Sequence, residues 1–133
     1  PAIADDSGLV VPALKGEPGV YSARYAGEHA DDADNNRKLL AQMAQCDDRR
    51  AFFLSCMTFM QSATDPTPII AFGHWRGEIL SQPRGAKGFG YDPLFYVSEQ
   101  NATAAELLPD VKNQLSHRGK ACRTLLSRLQ DYT

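Results

Sequence analysis

Apolar residues are concentrated in two long stretches in the middle of the chain, and these stretches predict its main strands. Residues 51–60 are aromatic and β-favouring with almost no charge, which is typical of a strand buried on both faces or nearly so. Residues 69–79 follow a turn at residues 65–68, and the pair predicts a long antiparallel hairpin. Gly73 and Gly77 interrupt the second strand and indicate a bulge or a close backbone approach.

A shorter apolar run at the start of the chain leads directly into polar residues. Residues 2–4 are small or apolar, and Asp5, Asp6, Ser7 and Gly8 follow them. This order predicts a short buried strand that ends at the edge of an active site. Two neighbouring carboxylates repel each other, so a metal ion or a basic side chain usually lies beside them. A solvated turn is the alternative interpretation, because such residues are common in turns.

The residues before position 35 predict the start of a helix. Asp31, Asp32 and Asp34 precede residues 35–43, whose apolar side chains recur at helical spacing. Three carboxylates could also indicate a metal site, but such residues more often cap a helix and meet its positive end. We therefore interpret these three residues as capping residues.

The C-terminal part of the chain predicts two further helices. Residues 103–106 match a capping box that opens a short helix ending near Pro109. Ser116 is the predicted N-cap of the last helix, with His117 and Arg118 in its first turn. Cations are disfavoured there, so two possible cations predict a nearby anion, and a solvated basic turn is the alternative. The predicted apolar side of this helix comprises Ala121, Cys122, Leu125, Leu126 and Leu129.

Glycine alternates with basic and aromatic residues between positions 84 and 93, just before another predicted strand at residues 94–97. Exposed backbone N–H groups in such a loop can hold anionic oxygens. Phe89 lies between two glycines, so its ring can lie against a flat base. The spacing of a P-loop is absent, and the segment precedes a strand rather than a helix.

Composition narrows the possible classes of protein. The 133 residues are 43% hydrophobic and 23% charged, which is ordinary for a single soluble domain spanning residues 1–133. The net charge of -2 offers neither the basic surface of a nucleic-acid-binding protein nor a polybasic membrane patch. No apolar run reaches about 18 residues, so no transmembrane helix is expected. Cys46, Cys56 and Cys122 lack zinc-site spacing, and reduced thiols in a cytoplasmic protein explain them most simply.

Three groups of residues together describe a nucleotide site. They are the carboxylate pair, the glycine-rich loop with Phe89, and the basic residues Lys112, His117 and Arg118. Carboxylates can hold Mg²⁺ through a few oxygens and leave its other positions to water and phosphate. Basic side chains can contact the other side of the anion. The combination predicts metal-assisted hydrolysis at a nucleotide phosphate.

Five motifs strengthen this prediction. They are Ala4-Asp5-Asp6-Ser7-Gly8, residues 18–25, residues 88–93, residues 103–107 and Ser116-His117-Arg118-Gly119. With them the chain closely resembles the inosine/xanthosine triphosphate pyrophosphatase family over essentially its whole length. The resemblance implies Mg²⁺-dependent hydrolysis of ITP, dITP and XTP to the monophosphate and pyrophosphate, which removes them from the nucleotide pool. It also implies a homodimer with an elongated α/β fold, built on a long, twisted mixed β-sheet flanked by helices.

The same resemblance assigns roles to individual residues. Asp6 would be the catalytic carboxylate, acting as general base and metal ligand, and Asp5 would assist at the metal. Adjacent strand residues face opposite ways, so both can serve one site only where the strand ends. The implied substrate-binding residues are Ser7, Phe89, Gly90, Tyr91, Asp92, Lys112, His117 and Arg118. Phe89 would stack on the base, and donors from His117 and Arg118 would read the 6-oxo group, which ATP lacks.

One departure from the family pattern affects these expectations. The family opens with a Ser/Thr-x-Asn-x-x-Lys phosphate-binding loop and a metal-binding glutamate, and this sequence contains neither. We therefore expect an N-terminally truncated domain that lacks the first strand and helix of the fold. The alternative is a non-catalytic fragment that binds inosine nucleotides without releasing pyrophosphate. A related group acting on modified pyrimidine nucleotides fits the Ser-His-Arg-Gly and Phe-Gly-Tyr-Asp motifs less well.

Overall fold

Within residues 1–132, which the computed structural model describes, five β-strands form one sheet with antiparallel neighbours. In sheet order the strands are β1 (Ala2–Val10), β2 (Arg50–Met60), β3 (Ile69–Ile79), β4 (Phe95–Val97) and β5 (Ala102–Thr103). The α-helices are α1 (Asp32–Met43), α2 (Pro109–Leu115) and α3 (His117–Leu129). The expected α/β class with a helix-flanked sheet is confirmed. The mixed sheet is not found among the described residues, because all four of their strand pairs are antiparallel.

The long hairpin formed by β2 and β3 is confirmed. Residues 51–60 of β2, for which burial on both faces or nearly so was predicted, have one buried and one partly buried face over their first half and are partly buried beyond it. Side chains of β2 and β3 alternate between a buried and a more exposed face, because α3 covers only one side of the sheet. On the covered face lie Phe53 and Trp75, whereas Ile70 and Phe72 remain exposed on the other. This region is therefore a sheet with one packed face.

Gly73 allows helix α3 to lie directly on strand β3. A Cβ at this position would lie 2.7 Å from the backbone nitrogen of Ala121 and closer still to the carbonyl oxygen of His117. At Gly77 a Cβ would meet Phe95 and the carbonyl oxygen of Tyr96. The close backbone approach predicted for both glycines is confirmed.

Strand β1 extends past the two carboxylates, so the prediction that it ends there is wrong. Its ladder with β2 continues from Ala2 to Val10, and Leu9 pairs with Phe53 and is fully buried. Residues 2–6 are exposed, which also contradicts the expected burial of the first part of the strand. Only the second half of β1 enters the core.

The predicted start of α1 is confirmed, with one difference. Asp31 and Asp34 form a reciprocal capping box, whereas the side chain of Asp32 binds elsewhere. The N-cap role of Ser116 is also confirmed, because its hydroxyl accepts a hydrogen bond from the amide of Gly119. Both helices begin at the positions that their capping residues define.

The remaining helical predictions are only partly right. The capping box at residues 103–106 is present, but it closes the short 3₁₀ turn Ala104–Glu106. Pro109 begins α2 instead of ending a helix, because proline fits the first helical turn, where an N–H is not needed. On α3, Cys122 and Leu126 are exposed. The buried side of α3 is narrower than the sequence pattern indicates.

The main core lies between the covered face of the sheet and the segments around it. Its largest fully buried side chains are those of Leu9, Leu39, Met43, Ile79, Leu94 and Phe95. Phe53, Trp75 and Phe95 form an aromatic cluster at its centre, with ring centres 4.5–6.1 Å apart. Among the described residues, no helix combines the length and the hydrophobicity needed to cross a bilayer.

Candidate active site

Every residue predicted to bind substrate lines one cavity of about 360 Å³. These residues are Ser7, Phe89, Gly90, Tyr91, Asp92, Lys112, His117 and Arg118. They come from β1, from the loop before β4 and from the junction of α2 and α3, so the fold brings together three separate parts of the chain. Asp6 lies outside this cavity and lines a neighbouring one of about 230 Å³. Ser7 and Gly8 line both cavities.

His117 is buried against the aromatic cluster at one wall of the larger cavity. Its ring stacks on Phe53 with 4.8 Å between ring centres, and Trp75 lies beyond at 6.3 Å. Burial, reinforced by the nearby positive charges of Arg118, Lys112 and other basic groups, lowers the pKa of His117 to about 4. The imidazole is therefore neutral at neutral pH, with one nitrogen donating and the other accepting.

This neutrality changes the expectation of two cations at the start of α3. Only Arg118 is charged in the first turn of the helix at neutral pH, because the His117 ring stays unprotonated. The Nδ1 atom of His117 is buried and has no hydrogen-bond partner among the described residues. A buried polar atom is normally hydrogen-bonded, so Nδ1 lacks a partner that such atoms usually have.

Phe89 lines the cavity and lies close to two cations. Its ring centre lies 4.9 Å from Lys112 Nζ and 5.4 Å from Arg118 Cζ, within the range of cation–π contacts. The Phe89 side chain is 61% exposed, so few apolar contacts hold it. A largely exposed aromatic ring thus lies next to two positive charges, a combination suited to stacking on a base that carries phosphates.

Asp92 and Lys112 form an ion pair inside the cavity. The distance from Lys112 Nζ to Asp92 Oδ2 is 2.6 Å, and the Asp92 side chain is only 7% exposed. The same carboxylate oxygen accepts a hydrogen bond from the backbone amide of Phe89. Asp92 therefore holds Lys112 and the loop together, and a direct contact of Asp92 with substrate stays a prediction.

Tyr91 and Ser22 fix the loop and strand β1 against each other. The hydroxyl of Tyr91 donates to the carbonyl oxygen of Ser22 at 2.6 Å, and burial raises the pKa of that hydroxyl. The Ser22 hydroxyl accepts a hydrogen bond from the amide of Leu9 and donates to the carbonyl oxygen of Gly19. The sequence did not identify Ser22, because two of its three partners, Leu9 and Tyr91, are distant along the chain.

The two neighbouring carboxylates lie on opposite faces of β1. Asp5 faces α3, where its carboxylate lies 3.7 Å from Arg118 Nε, and the same nitrogen donates to the Ser7 hydroxyl at 3.2 Å. Asp6 faces the smaller cavity, across from Cys56 on β2. The strand continues beyond both residues, so their side chains alternate as in any strand. A shared role at one metal stays a prediction for Asp5.

The carboxylate of Asp6 fits the role of a single protein ligand of Mg²⁺. Asp6 is exposed, and Mg²⁺ in nucleotide sites often binds one or two carboxylates, with water and substrate phosphates at its other positions. Within residues 1–132, no group of three His, Cys, Asp or Glu side chains could hold a metal ion. The described residues thus offer an open edge for a metal–phosphate complex rather than a closed protein cage.

Two residues of α1 that the sequence analysis did not place in the site also contact the loop. Asp32 accepts a hydrogen bond from the Gly90 amide at 2.8 Å, and Asn36 donates to the Gly90 carbonyl oxygen at 3.1 Å. The sequence did contain an indication for Asp32. The capping box needs only Asp31 and Asp34, so the carboxylate of Asp32 has no role in it. No local pattern identifies Asn36, because its partner lies 54 positions away.

Comparisons with known proteins identify the family of this chain. The family model described as the Ham1 family matches residues 1–128. The dITP/XTP pyrophosphatase of Aromatoleum aromaticum is 59% identical over 97% of this chain and 65% of its own length. The protein of the same name from Vibrio cholerae is 54% identical over 98% of this chain and 66% of its own length.

A solved structure shows the same fold. The HAM1 protein from Coxiella burnetii superposes with a TM-score of 0.94 at 48% identity, over 98% of this chain and 67% of that protein. The chain therefore spans about two thirds of the length of these proteins. With 128 residues matched to one family and more than half of its residues identical to these relatives, the chain belongs to the Ham1 family.

Proposed function

We propose that this chain hydrolyses the purine nucleoside triphosphates ITP, dITP and XTP to the monophosphate and pyrophosphate. The observation that carries the proposal is the single cavity lined by all eight residues expected to bind substrate. Its volume, about 360 Å³, lies in the range of small-molecule sites. Relatives that are 54–59% identical to this chain bear the name dITP/XTP pyrophosphatase, which supports the same substrate class.

Base recognition follows from the polar groups of the larger cavity. The Phe89 ring stacks on the purine, and the neutral imidazole of His117 and the guanidinium of Arg118 donate hydrogen bonds to the 6-oxo group. Adenine carries an amino group at this position, so its binding leaves the donors unpaired in a buried site. ATP is rejected for this reason, whereas the described contacts provide no basis for rejecting GTP.

Hydrolysis takes place at the acidic edge next to the smaller cavity. The Asp6 carboxylate accepts a proton from a water molecule, whose oxygen attacks a phosphorus atom of the phosphoanhydride. A P–O bond of the anhydride breaks, the leaving oxygen takes the electron pair, and pyrophosphate departs from the monophosphate. Asp6 would hold Mg²⁺ together with substrate phosphates, whereas Asp5 lies on the opposite face of β1, beside Arg118. When bound, the ion neutralises phosphate charge and polarises the phosphoryl oxygens.

The proposal also covers the oligomeric state of the enzyme and its cellular compartment. We propose a single domain that works as a homodimer in the cytoplasm. Exposed apolar side chains on the uncovered face of the sheet, Ile70 and Phe72 among them, support self-association. All three cysteines, Cys46, Cys56 and Cys122, are free thiols, as expected in a reducing compartment.

The test is pyrophosphate release in the presence of Mg²⁺, with ITP compared against ATP and GTP and with Asp6→Asn as the control. Asn cannot accept the proton of water, so we expect release from ITP to fall by at least about a hundredfold in Asp6→Asn. Removing Mg²⁺ with a chelator should abolish release. Failure of the wild-type chain to release pyrophosphate, with inosine monophosphate still bound, would support the alternative of a non-catalytic nucleotide-binding fragment.

A further inference from the structure

Helix α1 holds both polar groups of a single backbone residue in the aromatic loop. The Gly90 amide donates to Asp32 Oδ2 at 2.8 Å, and the Gly90 carbonyl oxygen accepts from Asn36 Nδ2 at 3.1 Å. Asp32 and Asn36 are four positions apart on α1, so their side chains project from the same side of the helix. We call Asp32, Asn36 and the backbone of Gly90 the Gly90 clamp.

The carboxylate of Asp32 is not needed by its own helix. The α1 capping box is completed by Asp31 and Asp34, which bond to each other's backbone amides. Asp32 instead lines the larger cavity and bonds to Gly90, which is 58 positions away. Its contact is therefore tertiary and specific to the loop.

The clamp acts on the residue next to Phe89. Gly90 has φ +60°, in the left-handed region, so the chain turns sharply immediately after Phe89. The Phe89 ring is 61% exposed, and its ring contacts are with the two cations Lys112 and Arg118. Apolar packing therefore contributes little to the position of this ring.

Backbone hydrogen bonds on both sides of the ring supply the missing restraint. The Phe89 amide donates to Asp92, and the next residue is held at both its amide and its carbonyl by α1. Asp92 is anchored in turn by Lys112. The ring therefore has one anchor in the cavity wall and another on α1.

We infer that Asp32 and Asn36 are positioning residues, which hold the Phe89 ring over the cavity through the backbone of Gly90. The consequence for nucleotide affinity rests on the proposed function, whereas the restraint on the loop does not. Holding the ring in its binding position before the ligand arrives lowers the conformational entropy lost on binding. Removing the clamp should therefore weaken binding rather than slow hydrolysis of bound substrate.

The first test measures amide hydrogen exchange at Gly90 by NMR in the substrate-free chain. Asp32→Ala removes the acceptor, so we expect exchange at Gly90 to accelerate by at least about tenfold. Asp32→Asn keeps an oxygen acceptor and should retain most of the protection. Asp31→Ala is the matched control, because it removes one carboxylate from the same helix end and weakens the cap but leaves Asp32 intact. Unchanged exchange in Asp32→Ala would overturn the inference.

The second test asks whether the clamp acts through Phe89. Affinity for inosine monophosphate, or KM and kcat for ITP, is measured in a double-mutant cycle that combines Asp32→Ala with Phe89→Ala. We expect Asp32→Ala to weaken affinity by about fivefold to tenfold when Phe89 is present, with little change in kcat. In the Phe89→Ala background the same substitution should have almost no further effect. Asn36→Asp, which removes the donor to Gly90, should behave like Asp32→Ala.

The outcomes separate the clamp from the proposed function. An equal loss of affinity in both backgrounds would show that Asp32 contacts the ligand itself and would overturn the positioning role. A wild-type chain that neither binds inosine monophosphate nor hydrolyses ITP would refute the proposed function. In that case Gly90 exchange in Asp32→Ala and Asp32→Asn still decides whether the clamp holds the loop.

Discussion

His117, which the proposed function assigns to base recognition, should lower the stability of the chain in acid. Its ring is packed against Phe53 and carries the pKa of about 4 that burial and neighbouring cations impose. A ligand that hydrogen-bonds to the neutral ring satisfies its unpartnered Nδ1, whereas protonation would place a charge among aromatic side chains and other cations. Under the proposed function, base recognition at His117 therefore depends on the neutral form of the ring.

The stability of the chain should consequently fall in mild acid. In the unfolded chain His117 takes up a proton near its ordinary pKa of 6.5, but in the folded chain it does so only near 4. Between these values the unfolded state binds more protons, so the free energy of unfolding decreases as the pH falls. The full difference corresponds to about 3 kcal/mol. Urea unfolding at about pH 7 and about pH 4.5 measures most of this loss.

Substitution isolates the contribution of His117 to that pH dependence. In His117→Gln we expect the stability difference between the two pH values to shrink by about 2 kcal/mol, because the glutamine does not titrate. His29→Gln is the matched control, since His29 is exposed and should leave the pH dependence unchanged. Equal pH dependence in the wild type and His117→Gln would contradict the prediction.

The residues of the site differ in how far the sequence could identify them. Phe89 and Arg118 belong to short motifs with chemically informative side chains, Lys112 is a basic residue a few positions before one of these motifs, and all three line the cavity. Asn36 and Ser22 contact backbone groups far away in the chain, and no local pattern encodes such partners. The sequence also could not predict that His117 is neutral, because its lowered pKa results from burial, which only the packed structure defines.

At the scale of elements, the contact between α3 and β3 determines where the basic residues of the site lie. Gly73 permits the first turn of α3 to approach the sheet, and that turn carries His117 and Arg118. Any side chain at position 73 would separate the helix from the strand. Glycine at this position therefore matters for the site as well as for packing.

Gly73→Ala should both destabilise the chain and move α3. The added Cβ overlaps backbone atoms of His117 and Ala121, which cannot rotate away, so we expect a loss of about 3 kcal/mol in urea unfolding. Trp75 is the only tryptophan and lies beside the His117 ring, so its fluorescence should change as the helix shifts. Arg76→Ala, on the exposed face of the same strand, should change stability by less than about 0.5 kcal/mol. Wild-type stability and fluorescence in Gly73→Ala would contradict the prediction.

The elements themselves were predictable where local patterns are strong. Strand β3 has the bounds predicted, and the capping residues placed the starts of α1 and α3 correctly. The end of β1 was misplaced, because the carboxylates there are compatible with an exposed strand at the edge of the described sheet as well as with a turn. The sequence likewise did not reveal that one face of β2 is partly exposed, since residue types alone do not show which neighbours cover a strand.

At the scale of the whole molecule, the described part of the sheet is covered on one face only. Ile70 and Phe72 project from the uncovered face and are 44% and 54% exposed. Strand β1 forms an edge of this sheet, with most of its residues exposed. Exposed apolar residues beside a sheet edge favour association between chains.

We therefore expect association to increase with protein concentration and to depend on this face. Phe72→Ser should lower the fraction of dimer or larger species in sedimentation velocity by at least about twofold, because it removes apolar area from the contact. Leu126→Ser is the matched control, since Leu126 is similarly exposed on α3. An unchanged distribution in Phe72→Ser would show that the chain associates through another surface or remains monomeric.

The two residues shared by both cavities have a consequence for the length of the substrate. Ser7 and Gly8 belong to the strand that separates the larger cavity from the side chain of Asp6. If a nucleotide occupied both cavities, as the proposed function requires, it would cross this strand, and the width of one strand would set the distance between the base and the bond that breaks. Under the proposed function, a nucleoside would fill the first cavity without reaching Asp6. Once pyrophosphate has left, the monophosphate would no longer have contacts on the Asp6 side of the strand. The same distance would therefore govern both the choice of substrate and the release of product.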